Sequence, residues 1–591
     1  MKYWPYYLLL VLMIGTSIFF IVRKANSPLQ ENDPPATVTS GDSVFTDTKK
    51  SDNGLRITGV TVPHHDLLAK DRADYLMRIS NGISPKTIIL VSPNHFDTGS
   101  SQIITTSKVW DLGTTQVEPA VEIIGKLSRE LVNAEDNAFL GEHGIKNILP
   151  DISSSFPKAK IVPIIIKQDV SKEKVALLAD NLIKNCTDDC LLIASVDDSH
   201  YQPASLSDLH DSLTIRALNN LDEDLIWRAE VDSNQSLALL IAWSKAQGTN
   251  KFRLEKNTNS GIIAGDRDAE ATSYIFGDFE RGDKNAAITD EITFTVAGDS
   301  MFDRAVDYKF RDNKIYDIFA NFGDRVLSGT DLSMLNLEGP ISAEPIPADQ
   351  SEGLIFNFPP KTVDVLKWLD INAVSLANNH TMNAGKTGFS NTLKVLKEKN
   401  IIPIGSANTF DETSIARFGS GTNKLSVITI ESLEVSKDLT EIIKAEKAAG
   451  NRVMIMPHWG TEYEPIHSAS QEKLAHSWID AGADIVIGSH PHVVQDAEMY
   501  KSRAIFYSIG NFVFDQTWSE PTQKGLIVAG KFKGDTLELV LLPTVSKKIQ
   551  PELLRGADKT DFITKIRAEL GLPTSDTGLG YDKIRIQLSN K

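Results

Sequence analysis

The feature that most constrains the fold of this chain is an alternation of short, β-branched apolar runs with longer amphipathic stretches. In the first half the runs occupy Ile57–Pro63, Thr87–Pro93, Lys160–Ile166 and Cys190–Asp197, and stretches with helical periodicity such as Ser171–Lys184 separate them. Apolar runs without polar alternation predict strands buried on both faces, and the intervening helices predict parallel pairing. The alternation therefore predicts an α/β fold with buried sheets.

The second half repeats the alternation and then changes character. Its predicted strands are Ile292–Asp299, Leu332–Leu337, Ala373–Ala377, Leu425–Ile430, Arg452–Pro457 and Asp484–Gly488. The last part predicts two antiparallel hairpins, at Ala504–Phe514 and at Gly525–Leu542, the second of which turns at residues 533–535. A polar stretch near residues 277–291 separates the two halves, so we expect two α/β domains.

The chain length and charge set further limits. With 591 residues the chain is too long for one hydrophobic core. The predicted boundaries are a transmembrane anchor at residues 1–24, a flexible linker at 25–55, α/β domains at 56–280 and 291–550, and a C-terminal extension at 551–591. The formal net charge is -17 and no basic block occurs, which argues against nucleic acid as a partner because phosphate binding needs clustered Lys and Arg.

The N-terminal segment predicts a membrane anchor. Residues from Tyr3 to Val22 are almost all apolar, which is about the length that crosses a bilayer as a helix, and Arg23 and Lys24 follow. A small-residue cleavage motif is lacking, so an uncleaved anchor is favoured over a signal peptide. We therefore expect a single-pass protein of the cell membrane with an extracytoplasmic soluble part, although the flanking charges are too evenly divided to determine orientation.

Two cysteines, Cys186 and Cys190, leave two interpretations open. They can form a local disulfide in an oxidising compartment, or they can be unpaired thiols at the entrance of a strand. A zinc site is disfavoured, because two thiolates need further ligands and no histidine flanks them.

Polar residues of the second half cluster where predicted strands end. Carboxylate, amide and imidazole groups follow five of these strands, and they belong to Asp299, Glu338, Asn379, His380, His458, His490 and His492. The carboxyl ends of strands in an α/β sheet converge on one crevice, where ligands usually bind. A single histidine after a strand is more often a structural residue, but five such motifs in order favour a metal site. Oxygen and imidazole ligands together suit Mn, Zn or Fe, and two neighbouring ions suit phosphoryl chemistry.

The amino-acid sequences of these motifs resemble those of a known family. The segments AGDSMFDR, LNLEGP, SLANNHTMNAG, MPHWGTEY, GADIVIGSHPHVVQ and YSIGNFVFDQ, between about residues 291 and 545, are similar to the CapA family, which is associated with poly-γ-glutamate capsule synthesis. Their order also resembles the calcineurin-like metallophosphoesterases. The resemblance implies an α/β sandwich with a site for one or two divalent ions.

The resemblance also implies a role for each residue. Asp299 and His492 would hold one ion, Glu338 would bridge two, and Asn379, His458 and His490 would hold the second. His380 would face the substrate as general acid or transition-state stabiliser. Phosphoesterases usually carry a histidine where this chain has Met301, so the first ion lacks one imidazole unless another residue such as Asp303 replaces it.

The first half shows a similar constellation at its strand ends. The residues are His64, His95, Glu142, His143, Asp197 and His200. Several imidazoles with carboxylates can bind a single iron, copper or zinc ion. The alternative is a polar crevice of hydrogen-bonded histidines without a metal.

These motifs resemble the Memo family, known in prokaryotes as AmmeMemoRadiSam system protein B. The segments VPHHDL, SPNHFD, EHGIKNILP and SVDDSHY, between about residues 56 and 279, carry the likeness. It implies a fold related to the catalytic subunit of class III extradiol dioxygenases, with the six residues above as metal or pocket residues. The thiolate that this family would supply is missing, which argues against copper redox chemistry.

Together these observations predict a membrane-anchored protein of poly-γ-glutamate or capsule-type polymer biosynthesis or processing, with a metal-dependent hydrolase site in its C-terminal half. The expected substrate is an anionic polymer or phosphoester, and the expected partners are capsule-synthesis membrane proteins. One alternative is a non-catalytic envelope scaffold or polymer-binding protein with degenerate metal pockets. A further alternative is redox chemistry at the N-terminal site.

Overall fold

The structure is a computed structural model that describes residues 57–588, apart from 128, 187–188, 311, 324, 344–353, 408, 420–423, 434–437 and 575–579. The predicted anchor at 1–24 and the predicted linker at 25–55 lie outside the described residues. Below, residues 57–280 are called the N-terminal region and residues 291–588 the C-terminal region.

The N-terminal region is built around an eight-stranded sheet. The strands of the region are β1 Ile57–Val62, β2 Thr87–Pro93, β3 Ile103–Thr105, β4 Trp110–Asp111, β5 Gln116–Val117, β6 Asn133–Ala134, β7 Lys160–Ile166, β8 Cys190–Ser195, β9 Gln202–Pro203, β10 Lys251–Asn259, β11 Glu270–Ala271 and β12 Ser273–Glu280. The sheet order is β10-β12-β1-β8-β2-β7-β3-β6, and β1, β8, β2 and β7 pair in parallel. These central strands are buried on both faces, as their continuous apolar runs predict.

Helices cover both faces of this sheet. They are Ala69–Gly82, Val121–Ile124, His143–Lys146, Leu149–Ser155, Lys172–Asn185, Ala204–Asn220, Glu223–Ile226, Asn234–Ala246 and Ser260–Ala264, with 3-10 turns at Asp66–Leu68 and Asp136–Phe139. Cys186 and Cys190 form a disulfide that links the end of the helix Lys172–Asn185 to the start of β8, so the first of the two interpretations holds.

The C-terminal region contains two further sheets. Its strands are β13 Glu291–Ser300, β14 Leu332–Leu337, β15 Ala373–Ser375, β16 Ile402–Ile404, β17 Ile415–Phe418, β18 Leu425–Glu431, β19 Arg452–His458, β20 Ile485–Ile487, β21 Ala497–Tyr500, β22 Arg503–Phe506, β23 Asn511–Val513, β24 Lys524–Lys533, β25 Thr536–Lys547, β26 Gln550–Leu553 and β27 Lys583–Gln587. A nine-stranded sheet runs β16-β15-β14-β13-β24-β25-β26, with β23 paired to β13 and β27 to β25, and a six-stranded sheet runs β17-β18-β19-β20-β22-β21.

The two C-terminal sheets share one core. Side chains such as Phe294 and Met334 from the first sheet pack with Val427 and Ile485 from the second. The helices of the region are Arg304–Phe310, Thr362–Trp368, Gly385–Glu398, Thr440–Ala448, Ala469–Ala481, Glu520–Gln523 and Gly556–Glu569, with 3-10 turns at Asp312–Phe319 and Glu412–Ser414. The layers are helix, sheet, sheet and helix, which is the α/β sandwich that the resemblance implies.

One of the two predicted hairpins is wrong. In the segment Ala504–Phe514, β22 pairs in parallel with β20 of the six-stranded sheet, whereas β23 pairs in parallel with β13 of the nine-stranded sheet. The chain crosses between the sheets here, and both strands are too short and too apolar to show this locally. The hairpin predicted at Gly525–Leu542 is confirmed, because β24 and β25 pair antiparallel around Lys533 and Thr536.

The predicted fold class needs a correction. Within the described ranges, no helix has the length and apolar character needed to cross a bilayer. The longest of them, Ala204–Asn220, has 17 residues and would extend about 25 Å, short of the roughly 30 Å of a hydrocarbon core. This finding overturns the transmembrane helix in the predicted fold class and the single-pass membrane localisation built on it. A mixed α/β architecture is what remains.

Candidate metal centres

The residues predicted at strand ends of the C-terminal region lie together at one edge of its sheets. Asp299 is at the end of β13, Glu338 follows β14, Asn379 and His380 follow β15, His458 ends β19, and His490 and His492 follow β20. We call these seven residues the C-terminal centre. All of them are buried except Asn379, which is exposed. Their ligand roles stay predictions, but the convergence on which those roles depend is present.

Three donor atoms of this centre are spaced like ligands of one ion. The Nε2 atom of His458 lies 2.9 Å from Oδ1 of Asn379 and 3.2 Å from Nδ1 of His490. Metal–ligand bonds of about 2.0 to 2.1 Å place neighbouring ligand atoms of one ion about 2.8 Å apart in octahedral geometry and about 3.4 Å apart in tetrahedral geometry. The observed separations fall in this range, so the three residues fit a shared cation.

The remaining donors form a second group around Glu338. The ring of His492 lies between the two carboxylates, with Nδ1 at 3.6 Å from Oδ2 of Asp299 and Nε2 at 3.6 Å from Oε1 of Glu338. Oε1 of Glu338 is fully buried and makes no hydrogen bond among the described residues. Leaving a buried carboxylate oxygen unpaired is unfavourable. A cation bound beside this oxygen would satisfy it. A donor atom of His458, from the first group, also lies within 4.8 Å of donor atoms of Asp299 and Glu338, so Glu338 is close to both groups.

Asn511, which the sequence argument missed, orients His492. Its Nδ2 donates to the carbonyl oxygens of His492 and Thr522 and to Oε1 of Gln516, which fixes the direction of the amide. Oδ1 of Asn511 therefore accepts from Nδ1 of His492 at 3.0 Å. The lone pair of the ring is left on Nε2, facing Glu338. Partners of this kind commonly fix the tautomer of a metal-binding histidine.

Asn336 is a second residue that was not among the predicted site residues. Its Nδ2 lies 2.8 Å from Oδ1 of Asp299 and 3.3 Å from Oε2 of Glu338, so one amide group contacts both carboxylates. Asn336 precedes Glu338 by two positions at the end of β14, where alternate side chains point to the same face. That period of two is a signal that could have identified it.

The backbone around the centre is tightly packed and strained. His490 and His492 have positive φ values of 98° and 57°, a region that non-glycine residues rarely occupy outside functional sites. A Cβ atom at Gly298 would lie 2.0 Å from the carbonyl oxygen of Gly510, so only glycine fits where β13 passes this loop.

Burial drives the C-terminal centre toward neutrality when no cation is bound. It raises the pKa of Asp299 to about 7, and burial together with the charge of Asp299 raises the pKa of Glu338 well above its ordinary value. Burial also lowers the pKa of His490 to about 4 and that of His492 to about 3. A bound divalent cation reverses this preference for the carboxylates, which it favours in the ionised form, whereas the imidazoles are already in the neutral form that binds a metal.

His380 presents a proton acceptor to the centre. Oδ1 of Asn383 accepts from the backbone N–H of Phe356 at 3.0 Å, so the same oxygen must accept from Nδ1 of His380 at 2.8 Å. Nε2 of His380 then carries the lone pair and lies 4.0 Å from Oε1 of Glu338. Burial lowers the pKa of His380, which favours this neutral form. The ring also packs on Phe356, with centroids 4.2 Å apart.

Met301 lies where the first ion position lacks an imidazole, and Asp303 is the predicted replacement. Met301 is fully buried, and its sulfur lies 3.0 Å from the backbone N–H of Asp303. The carboxylate of Asp303 instead accepts from the backbone N–H groups of Arg304 and Asn357, each at 2.7 Å. Asp299, Glu338 and His492 are the predicted donors on this side of the centre, and a ligand role for Asp303 stays a prediction.

The predicted residues of the N-terminal region also converge at strand ends. His64 follows β1, His95 follows β2, Glu142 and His143 open a short helix, and Asp197 and His200 follow β8. We call these six residues the N-terminal pocket. The ring centroid of His95 lies 3.9 Å from that of His143 and 4.8 Å from that of His64. Three imidazoles therefore face one another, and their donor atoms fit a single ion.

Asp232 joins this pocket although it was not a predicted site residue. Its Oδ2 lies 3.3 Å from Nε2 of His64 and 3.6 Å from Nε2 of His95. Nε2 of His64 is also 3.4 Å from Oδ2 of Asp197, so the pocket offers a second donor set of one imidazole and two carboxylates. Asp232 lies in a loop before the helix Asn234–Ala246 and follows no strand, which is why strand-end reasoning overlooked it.

Glu142 and His200 have different positions in the pocket. Glu142 is buried, and its Oε1 lies 2.5 Å from Nδ1 of His95, so it orients that ring. Burial lowers the pKa of His200, the charge of Asp232 opposes this shift, and the buried Nδ1 of His200 has no hydrogen-bond partner among the described residues. Burial lowers the pKa of His64 to about 3. Burial also lowers that of His95, but hydrogen bonds to Asp232 and Glu142 raise it overall to about 9.

Comparison with known proteins confirms both resemblances. Residues 293–516 match the family described as "Bacterial capsule synthesis protein PGA_cap", and residues 42–275 match the family described as "Memo-like protein". The chain therefore combines a Memo-like part and a CapA-like part in one polypeptide.

Individual relatives resemble one part or the other. The chain is 29% identical over 342 residues to "Capsule biosynthesis protein CapA" of Bacillus anthracis, a match that covers 51% of this chain and 79% of that protein. It is 27% identical over 256 residues to "PGA biosynthesis protein CapA" of Bacillus subtilis, covering 40% and 67%. It is 27% identical over 227 residues to a "MEMO1 family protein" of Caldivirga maquilingensis, covering 36% and 80%.

Proposed function

We propose that this chain, which joins a Memo-like part to a CapA-like part, acts in the biosynthesis or processing of a poly-γ-glutamate or capsule-type polymer through a metal-dependent hydrolase site. The names of the CapA relatives support the polymer, and the C-terminal centre supports the hydrolase. The observation that carries the proposal is the ligand-like spacing of Asn379, His458 and His490 beside the unpaired buried oxygen of Glu338.

The residues of the centre suit one or two divalent ions, Mn, Zn or Fe. When bound, such ions lower the pKa of water and polarise a phosphoryl or carbonyl oxygen. Asp299 and His492 would hold one ion, Asn379, His458 and His490 the other, and Glu338 lies between the groups. Asn336 and Asn511 keep the donors in place through the hydrogen bonds described above.

His380 would transfer a proton to the leaving group of the substrate. In its neutral form Nε2 accepts a proton at the face of the centre, and once protonated it can donate to the leaving oxygen or nitrogen. Asn383 keeps the acceptor on Nε2 in the first step. The proposed substrate is an anionic polymer with a phosphoester or a γ-glutamyl amide, which the names of the CapA relatives support. A proton donor such as His380 suits the leaving group of either bond. The proposed partners are other capsule-synthesis proteins.

The second candidate function is a scaffold that binds polymer without turnover. The observation that favours it is Met301, where an imidazole is missing and Asp303 is committed to backbone hydrogen bonds. A centre with fewer donors on one side binds its ion there more weakly. This candidate predicts substoichiometric metal and no hydrolysis.

The test compares metal content and hydrolysis in the full chain. Metal-free protein is reloaded with Mn²⁺, Zn²⁺ or Fe²⁺, its stoichiometry is measured, and hydrolysis of bis-p-nitrophenyl phosphate and of poly-γ-glutamate is followed. We expect His490→Ala to lose metal and turnover. His476→Ala is the matched control, because His476 is paired with Glu498 and stacked on Tyr500 away from the centre.

The outcomes separate the two candidates. Turnover that is unchanged in His490→Ala removes the hydrolase proposal. Substoichiometric metal in the parent protein, without hydrolysis of either substrate, supports the scaffold. Loss of activity in His476→Ala as well as His490→Ala would indicate a general folding defect rather than a metal-binding role.

A further inference from the structure

The two regions meet along a polar interface that adjoins the N-terminal pocket. Nη1 of Arg325, from the C-terminal region, lies 2.6 Å from Oε1 of Glu230 in the N-terminal region. Two residues before Glu230, the guanidinium of Arg228 donates to the carbonyl oxygens of Thr330 and Asp331. The segment 228–230 is thus held by the segment 325–331 of the other region.

The second carboxylate oxygen of Glu230 faces the pocket side. Oε2 accepts from the backbone N–H of His200 at 2.9 Å and lies 3.6 Å from Nδ1 of His210. The ring of His210 is fully buried and packs against Gly329, where a Cβ atom would come within 2.9 Å of the ring. Glu230 therefore joins three points: a pocket residue, the helix Ala204–Asn220 and Arg325.

The same segment carries a donor into the pocket. Asp232 follows Glu230 by two residues, and its Oδ2 accepts from the backbone N–H of Asp197 at 3.1 Å while lying 3.3 Å from Nε2 of His64. Glu230 is only 4% exposed, and a buried carboxylate that loses its cationic partner is strongly unfavourable. Removing that partner should shift the segment 230–232 and, with it, Asp232.

We propose that Arg325 is a positioning residue for the N-terminal pocket, so that the C-terminal region completes a metal-binding site of the N-terminal region. Arg325 acts through Glu230, which holds the backbone of His200 and the segment carrying Asp232. The inference is independent of the hydrolase activity, which concerns the C-terminal centre. It gives a structural reason for the two parts to share one chain.

The segment that carries Arg325 is also connected to the C-terminal centre. The segment 325–331 leads directly into β14, and Glu338 follows the other end of that strand. Six residues of strand span about 20 Å. One end of this strand therefore leads to Arg325, which contacts Glu230 beside the N-terminal pocket, and the other end leads to Glu338 of the C-terminal centre.

The test measures cobalt binding to the pocket in the full chain. The parent for this test carries His458→Ala and His490→Ala, so that the visible absorption of Co²⁺ reports the N-terminal pocket, and loss of the signal in His64→Ala identifies it. Adding Arg325→Ala should weaken Co²⁺ affinity roughly 10- to 100-fold and change the absorption spectrum, as the loss of orienting partners typically does. Arg325→Lys should recover part of the affinity, because a lysine can still pair with Glu230.

Two further variants make the result specific. Lys583→Ala breaks another ion pair across the same interface, with Asp208, and should leave Co²⁺ affinity unchanged. Glu230→Gln keeps the shape of the side chain but has one carbonyl oxygen, which cannot serve both His200 and Arg325, so it should weaken binding even if Arg325→Ala fails to fold.

Three results would overturn the proposal. They are Co²⁺ binding with the parent affinity and spectrum in folded Arg325→Ala or in Glu230→Gln, an equal loss in Lys583→Ala, and Co²⁺ binding in the parent that survives His64→Ala. Circular dichroism and thermal unfolding of each variant establish that the protein is folded.

Discussion

Replacing Asn511 by alanine tests whether His492 is held as a metal ligand. In the structure the amide oxygen of Asn511 accepts from Nδ1 of His492 at 3.0 Å, and this contact leaves Nε2 facing Glu338. Asn511→Ala removes the contact and leaves every predicted ligand unchanged in sequence. We expect the ring of His492 to rotate more freely and to bind its ion less well.

The expected size follows from the contact that is lost. One neutral hydrogen bond contributes about 1 kcal/mol, and outer partners of metal-binding histidines typically contribute 10- to 100-fold in affinity, or roughly 1.4 to 2.7 kcal/mol. Asn511 also donates to three acceptors through Nδ2, so the variant should be less stable by about 1 to 3 kcal/mol. Both effects leave a folded protein that can be assayed.

The assay is a competition titration of Mn²⁺ or Zn²⁺ against a chelator of known affinity, with turnover measured in parallel. Asn383→Ala is the matched control, because it removes the same kind of contact, 2.8 Å long, from His380. His380 is not a predicted ligand, so this control should keep its metal affinity. It should lower turnover by up to roughly 100-fold, because the general acid–base residue itself contributes about that much or more and this variant removes only its orienting contact.

Two outcomes would refute the reasoning. If folded Asn511→Ala binds metal within about threefold of the parent, less than the tenfold that loss of such a partner typically removes, His492 is not oriented as a ligand by this amide. If Asn383→Ala loses metal as strongly as Asn511→Ala, then His380 is itself a ligand and the assignment of roles must be reversed.

Three further predictions concern stability, and chemical denaturation measures each of them. Gly298→Ala places a methyl group 2.0 Å from a backbone carbonyl oxygen across the sheet, and should destabilise the protein by about 1 to 3 kcal/mol or more; an unchanged midpoint would contradict the close packing. Arg216→Ala leaves its buried carboxylate partner unpaired and should cost about 3 to 5 kcal/mol, whereas Arg585→Ala, which breaks an exposed pair, should cost about 0 to 1 kcal/mol. Reducing the Cys186–Cys190 disulfide opens a short loop and should cost about 2 kcal/mol, seen as a shift between unfolding curves with and without reductant.

Much of the fold could be read from local patterns. The runs Thr87–Pro93, Lys160–Ile166 and Leu332–Leu337 are strands with the predicted limits, because a strand buried on both faces has few polar residues and appears as a nearly continuous apolar run. The segment Ala504–Phe514 was misread as a hairpin for the same reason. Its short apolar runs show burial but not which of two sheets each run joins.

The hydropathy of the first 24 residues predicted a membrane-spanning helix. No helix among the described residues has the length and apolar character that this prediction needs. The predicted domain limits likewise stay predictions, since the interface around Arg325 and Glu230 joins the two regions closely.

The sequence by itself determined where chemically active side chains stand along the chain, because strand ends are local features and motifs such as His490-Pro491-His492 sit directly after apolar runs. The tertiary structure alone decided their neighbours: Asn511 with His492, Asp232 with His64, and Arg325 with Glu230. Each of these pairs joins residues from separate elements whose distance depends on the path of the whole chain. Burial then removes water from the assembled carboxylates and imidazoles. This loss of solvation is not encoded by any single segment, and it makes a bound cation favourable in the shared crevice.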